Sequence, residues 1–178
     1  MVRNIPDGAG GRVNTILTGQ NTAGVHTHKV FDWRKELIGF EGYKNTVYLD
    51  TEGNPTAGIG HKLPAGTKVG KDVTDAQIQE WYSQDTNRAL EIAERTARAY
   101  GFSDDHDTMI AVAGAAFQLG ESGLSKFDES LRIIAEAQDY DALVKNSETW
   151  KWKTQTPERT ADFLKKVKGR FDARKRQP

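Results

Sequence analysis

The chain has 178 residues, 28% of them charged and 9% aromatic, the profile of one ordinary globular domain with enough length to bury a core. It contains no cysteine, which excludes disulfides and thiolate metal sites and fits a protein made in a reducing compartment. Net charge is zero, but residues 151–178 hold ten Lys or Arg against Glu158, Asp162 and Asp172, so this end carries +7 and the rest −7. A basic end attracts polyanions such as wall polymers or nucleic acid, and it equally suits a solvated helix face.

Residues 1–30 are rich in Gly, Asn and Thr, with turn chemistry in DGAGGR (7–12) and TGQNTAG (18–24), and read as a flexible arm or linker. They contain no apolar signal-peptide core, and no run in the chain is long and apolar enough to span a bilayer, so no membrane anchor is expected. His26 and His28 read as arm histidines, because no further ligand spacing accompanies them. Phe31 to Phe40 is amphipathic and predicts a short helix that ends at Glu41-Gly42. A two-stranded ribbon is expected next, turning at Thr51-Glu52-Gly53-Asn54-Pro55.

Thr74-Asp75-Ala76-Gln77 is a capping box, and the helix it opens is predicted to reach Tyr100, where Gly101 stops it. At ~1.5 Å per residue such a helix is a rod of roughly 40 Å. Residues 105–119, rich in Ala with Met109, Ile110, Val112 and Phe117, predict a buried helix. Further helices are expected over Ser125–Gln138, over Asp139–Trp150, and from Thr156-Pro157 onward, with Thr156 as N-cap and Pro157 at the first helical position. The last should turn Phe163, Leu164 and Val167 inward and Lys165, Lys166 and Lys168 outward. Trp150 and Trp152 read as packing residues. The fold class is therefore α+β, with helix dominating.

The chemistry concentrates in ELIGFEGYKNTVYLDTEGNPTAGIGHKL (36–63), which brings Glu41 from a helix end and Asp50 and Thr56 from the ribbon. Two carboxyls and a hydroxyl are the equipment of glycoside hydrolysis: one acid protonates the leaving oxygen and one carboxylate activates water. Glu41 is the candidate acid, since the macrodipole at a helix C-terminus favours a carboxyl that keeps its proton. Asp50 at a turn has a bland alternative as a turn cap. His61 and Asp85 are expected to pair and tie the ribbon to the long helix, and Gly58 and Gly60 to let the ribbon backbone pass close to the catalytic groups.

The order Glu41, Asp50, Thr56 with the Gly-Ile-Gly-His ending, followed by FQLGESG (117–123), KFDESLR (126–132) and WKTQTPERTADF (152–163), resembles the phage-type lysozymes of the T-even class over about residues 31–172. The resemblance implies a two-lobed fold: a ribbon lobe of about residues 43–72, a connecting helix of about 74–100 and a helical lobe of about 101–172. It implies a muramidase that hydrolyses the β-1,4 bond between N-acetylmuramic acid and N-acetylglucosamine, with inversion, in phage-mediated lysis or wall penetration. Glu41 would then donate the proton while Asp50 and Thr56 hold the water. Lys62, Phe117, Gln118, Ser130 and Asn146 would line the sugar site, although Lys62 stands where the family often has an aliphatic residue. Arg159 would reach the catalytic glutamate, its local alternative being a pair with Glu158.

No cofactor or metal is implied. The partners are peptidoglycan glycan strands, with a holin-type pore or a virion assembly for delivery, no specific nucleic acid, and a monomeric enzyme. Its place would be the host cytoplasm before lysis, acting on periplasmic peptidoglycan. Two alternatives stay open: a non-catalytic wall-binding or virion module with the same fold, and a lytic transglycosylase.

Overall fold

The computed structural model describes residues 27–176, with side chains from residue 32 onward, so most of the N-terminal arm and the side chains of His26 and His28 lie outside the described residues. The chain forms two compact units that part between Asn87 and Arg88, inside the long helix. Among the described residues the architecture is α+β with helix dominating, with one sheet of three antiparallel strands. No helix among the described residues is long and apolar enough to cross a membrane.

In the first unit, helix α1 (Thr27–Glu41) begins four residues before the amphipathic pattern at Phe31. Trp33, Leu37 and Ile38 form its buried face, whereas Phe40 is exposed. Arg34 is buried among them; its Nη2 donates to Asn87 Oδ1 at 2.7 Å, and its carbonyl accepts the Tyr82 hydroxyl. The helix stops where Gly42 takes φ 74° and returns its N–H to the Ile38 carbonyl at 2.9 Å.

Strands β1 (Lys44–Leu49), β2 (Pro55–Gly58) and β3 (His61–Lys62) follow in spatial order. The expected two-stranded ribbon thus gains a third strand, and an isolated bridge joins Thr46 to Asp72. A two-residue strand has no room for a period-two pattern, which is why only its pairing reveals it. The register sets Tyr48 and Lys62 on either side of Thr56. Val47, Ala57 and Ile59 are buried beneath the sheet, as is Ile78 on helix α2 (Asp75–Tyr100). A Cβ on Gly58 would lie 3.0 Å from Ile78 Cγ2, so the bare glycine lets strand and helix meet. The capping box at the start of α2 is reciprocal: Gln77 N donates to Thr74 Oγ1 at 3.3 Å and Thr74 N to Gln77 Oε1 at 3.1 Å.

The second unit is helical. Helix α3 (His106–Leu124) is capped by Asp105, which accepts the Thr108 N–H at 3.0 Å, and it breaks at Gly120 (φ 68°, ψ 177°). Its buried Ala111, Ala113, Ala115 and Ala116 bring it close to helix α7 (Pro157–Arg174), which buries Phe163, Val167 and Phe171. A 3₁₀ turn over Ser125–Phe127 leads into α4 (Asp128–Glu136), and α5 (Tyr140–Ser147) follows. The helix expected to run to Gln138 stops earlier because Ala137 adopts the left-handed conformation (φ 51°). Arg170 closes that end, its Nε donating to the Ile134 carbonyl at 2.8 Å and Nη2 to that of Ala135 at 3.2 Å.

A short helix α6 (Lys151–Gln155), absent from the sequence pattern, precedes α7. Thr156 stands at the N-cap position of α7, but its hydroxyl turns back to the Trp152 carbonyl at 3.1 Å and does not cap the helix. Leu164 is half-buried, and Lys166 is also half-buried against Asp162. Lys168 pairs with Asp172 at 2.7 Å, so part of the basic end is neutralised within its own helix.

Phe163 meets Trp150 and Trp152 edge-on, each with ring centroids 5.7 Å apart, and Phe127 closes the cluster 4.7 Å from Trp150. Truncating the shared ring removes both contacts and leaves a cavity. Phe163→Ala is expected to lower the unfolding free energy by about 3–5 kcal/mol in urea denaturation. A loss below about 1 kcal/mol would show that this cluster does not hold the second unit together.

Candidate active site

Glu41 is the last residue of α1, half-buried, and its carboxyl lies against the bare α-carbon of Gly60. A Cβ at Gly60 would stand 2.9 Å from Glu41 Oε2 and 3.0 Å from its Cδ, and Gly60 itself has φ 74°. The positive φ favours glycine there, and any side chain would displace the Glu41 carboxyl. The Glu41 charge is felt by two phenols: burial first, then Glu41 and Asp50, push the Tyr48 pKa up. Tyr82 is raised as well, by burial first and then by Glu41, with Arg34 opposing. Both tyrosines therefore stay protonated beside the carboxyls. Lys44 Nζ sits 3.9 Å above the Tyr48 ring, a cation–π contact at the edge of the site.

Asp50 closes the turn between β1 and β2 with its own carboxylate. Oδ1 accepts N–H groups from Glu52 at 2.9 Å and Asn54 at 2.8 Å, and the Asn54 amide at 3.3 Å. Oδ2 accepts that amide at 3.2 Å and faces Lys62 Nζ at 3.5 Å. The Asn54 main-chain N–H holds the Asp50 carboxyl below the usual carboxylate range. Burial opposes it, while the Asn54 side chain, the Glu52 N–H and Lys62 reinforce it. Asp50 is thus an anion well below neutral pH, with its spare acceptor capacity on Oδ2.

Thr56 is buried on β2, and its hydroxyl donates to the Asn54 carbonyl at 3.1 Å. Its proton being committed, Oγ1 is left as an acceptor. Lys62, 59% exposed, lies opposite Thr56 with Nζ 3.3 Å from Glu52 Oε2. His61 Nδ1 is 2.7 Å from Asp85 Oδ2, and its ring stacks on Trp81 with centroids 4.6 Å apart and 11° between planes. The pair and the stack fasten β3 to α2.

The second unit holds the other candidate residues. Ser130 is buried; its Oγ donates to Asn146 Oδ1 at 2.6 Å, and Trp150 Nε1 donates to both, at 3.1 and 3.2 Å. With two donors on Oδ1, the Asn146 amide is turned so that Nδ2 has no acceptor among the described residues. Gln118 Oε1 accepts from Trp152 Nε1 at 2.6 Å and from Arg159 Nη1 at 3.3 Å, and Phe117 beside it is half-buried.

The structure therefore gathers Glu41, Asp50, Thr56, His61, Lys62 and Asp85 in the first unit, and Phe117, Gln118, Ser130, Asn146 and Arg159 in the second. Sequence reasoning passed over Tyr48, Asn54 and Trp81. Asn54, four residues after Asp50 in a Gly-Asn-Pro turn, carried a local signal for turn bonding. Tyr48 and Trp81 carried none, since only strand pairing and helix docking bring them to the site.

The Phage lysozyme family model matches residues 38–174. The chain is 37% identical over 159 residues to the peptidoglycan hydrolase gp36 of Pseudomonas phage phiKMV, a match covering 88% of this chain but only 17% of that protein's length. It is 30% identical over 152 residues to probable T4-type lysozyme 2 of Dictyostelium discoideum, covering 71% of this chain and 88% of the relative. Probable T4-type lysozyme 1 of the same organism is 27% identical over the same extent.

The Gly60 contact makes a direct prediction. Gly60→Ala adds a methyl group where the Glu41 carboxyl now lies and strains a left-handed backbone position. It should cost about 1–2 kcal/mol in urea unfolding. Wild-type stability in Gly60→Ala would show that the position does not require glycine.

Proposed function

The chain belongs to the phage lysozyme family, and from that premise we propose that it is a peptidoglycan-hydrolysing muramidase. The bond cut is the β-1,4 link between N-acetylmuramic acid and N-acetylglucosamine, and the reaction is a single displacement by water. The observation that carries this reading is the division of labour on the ribbon. Asp50 Oδ1 is saturated by N–H donors and the Thr56 proton is committed, so Asp50 Oδ2 and Thr56 Oγ1 remain as acceptors. A water between them gives a hydrogen to each and keeps a lone pair for the anomeric carbon.

Glu41 supplies the acid. As the water oxygen bonds to C1 of the muramic acid residue, the C1–O bond breaks and the leaving oxygen takes the Glu41 proton, while Asp50 takes a proton from the water. The Asn146 amide, turned outward by Trp150 and Ser130, and Gln118, held by Trp152 and Arg159, suit the hydroxyl and acetamido groups of the glycan. Phe117 offers an apolar wall. His61 and Asp85 support β3, and Lys62 lies too close to Asp50 to be only a sugar ligand. The place of action is periplasmic peptidoglycan, reached through a holin-type pore or with the virion, by a monomer that needs no cofactor.

Clearing of outer-membrane-permeabilised Gram-negative cells by wild type and by Glu41→Gln tests the reading. The variant should lose roughly 10²–10⁴-fold, the contribution of a general acid. Equal clearing by the two proteins would remove Glu41 from the mechanism. The released muropeptides should carry the mass of added water; anhydro sugars would make the protein a transglycosylase. Wall binding without clearing by wild type would make it a binding module.

A further inference from the structure

We propose that Lys62 is a positioning residue for the hydrolytic reaction: its ammonium, tethered by Glu52, stands beside Asp50 Oδ2 and holds that oxygen toward the attacking water. The inference rests on the muramidase reading above. Strand pairing sets Lys62 in place, because it is the direct cross-strand partner of Thr56, the other water-holding group. Nζ lies 3.3 Å from Glu52 Oε2 and 3.5 Å from Asp50 Oδ2.

Both contacts are long, so the ammonium is shared between Glu52 and Asp50 and acts on each chiefly through its charge. Charge still reaches Asp50: Lys62 is one of the groups that lower its pKa, after the hydrogen bonds from Asn54 and Glu52. Burial pulls the Lys62 pKa down, and Glu52 and Asp50 together overcome it, so Lys62 remains cationic wherever the enzyme works. The other charged or titratable groups facing Asp50 are Glu52 from the turn and Tyr48 from β1. Glu41 acts on Tyr48 from α1, and Lys44 sits over the same ring. Lys62 is the cation directly beside the carboxylate. Its loss leaves Asp50 easier to protonate, and a protonated Asp50 cannot accept the proton of the water.

The test is the pH dependence of kcat/KM on peptide-free glycan strands for wild type, Lys62→Met and Lys62→Arg. At low salt the acid limb should move to higher pH in Lys62→Met, so that its acid-range loss is at least twofold greater than its loss at neutral pH. Lys62→Arg should keep the wild-type limb. At about 0.5 M salt, where the Debye length falls to about 4 Å, the gap between the limbs should narrow. Titration of the Asp50 carboxyl carbon by NMR reads the same contact without relying on activity, and should show the midpoint rising in Lys62→Met. Coincident acid limbs, coincident NMR midpoints, or a uniform loss with raised KM, as from a lost sugar contact, would each overturn the proposal. An inactive wild type would instead overturn the muramidase reading, and the NMR midpoints would still decide on Lys62.

Discussion

The carboxylate of Asp50 closes the turn on which its own chemistry depends. By accepting the N–H groups of Glu52 and Asn54 it folds residues 50–54 back on themselves, and Leu49 then pairs with Pro55 and Tyr48 with Thr56. A shift of that register by one residue would send the Thr56 hydroxyl to the opposite face of the sheet. On its other side Thr56 pairs with Lys62, which brings the ammonium beside Asp50. One side chain thus acts as turn cap, as anion and as the reference point for a hydroxyl and an ammonium. The bland reading of Asp50 as a turn cap and the functional one are not rivals; the bonds that cap the turn also leave Oδ2 as its available oxygen.

Glu41 is fixed by a different device. Two glycines frame it, Gly42 ending the helix immediately after it and Gly60 offering a surface with no side chain for its carboxyl. The carboxyl is thereby half-buried against backbone, set by the end of a helix and the passage of a strand. In the second unit the same economy appears with indoles: Trp150 orients Asn146 and Ser130, while Trp152 orients Gln118, both rings being buried in the aromatic cluster. The polar groups proposed to meet the glycan are therefore anchored from within the core, as a rigid site requires.

Much of the fold was readable because its signals are local. The capping box at Thr74 and Gln77, the stop at Gly101 and the alanine-rich α3 are each decided by residues near one another in the chain. What escaped was decided at a distance or against local preference. Strand β3 exists only through pairing with β2, and the stack of His61 on Trp81 only through docking of that strand on α2. Ala137 ends α4 in a conformation that glycine or asparagine usually takes, because Arg170 from α7 satisfies the freed carbonyls. Thr156 had the chemistry of an N-cap, but the unforeseen α6 supplied its hydroxyl with a carbonyl. Within the candidate site, motif order pointed to Glu41, Asp50 and Thr56. It could not show that Lys62 leans on Asp50 or that Ser130 is buried under Asn146 and Trp150.

In the proposed mechanism water attacks directly from the side of Asp50 and Thr56, with no covalent intermediate on the protein. The anomeric configuration of the first-released reducing end, followed by proton NMR before mutarotation, tests that most directly. Initial appearance of the α-anomer from the β-linked glycan is the predicted result. Initial appearance of the β-anomer would mean a double displacement through an enzyme nucleophile, and the water-holding role given to Asp50 and Thr56 would be wrong.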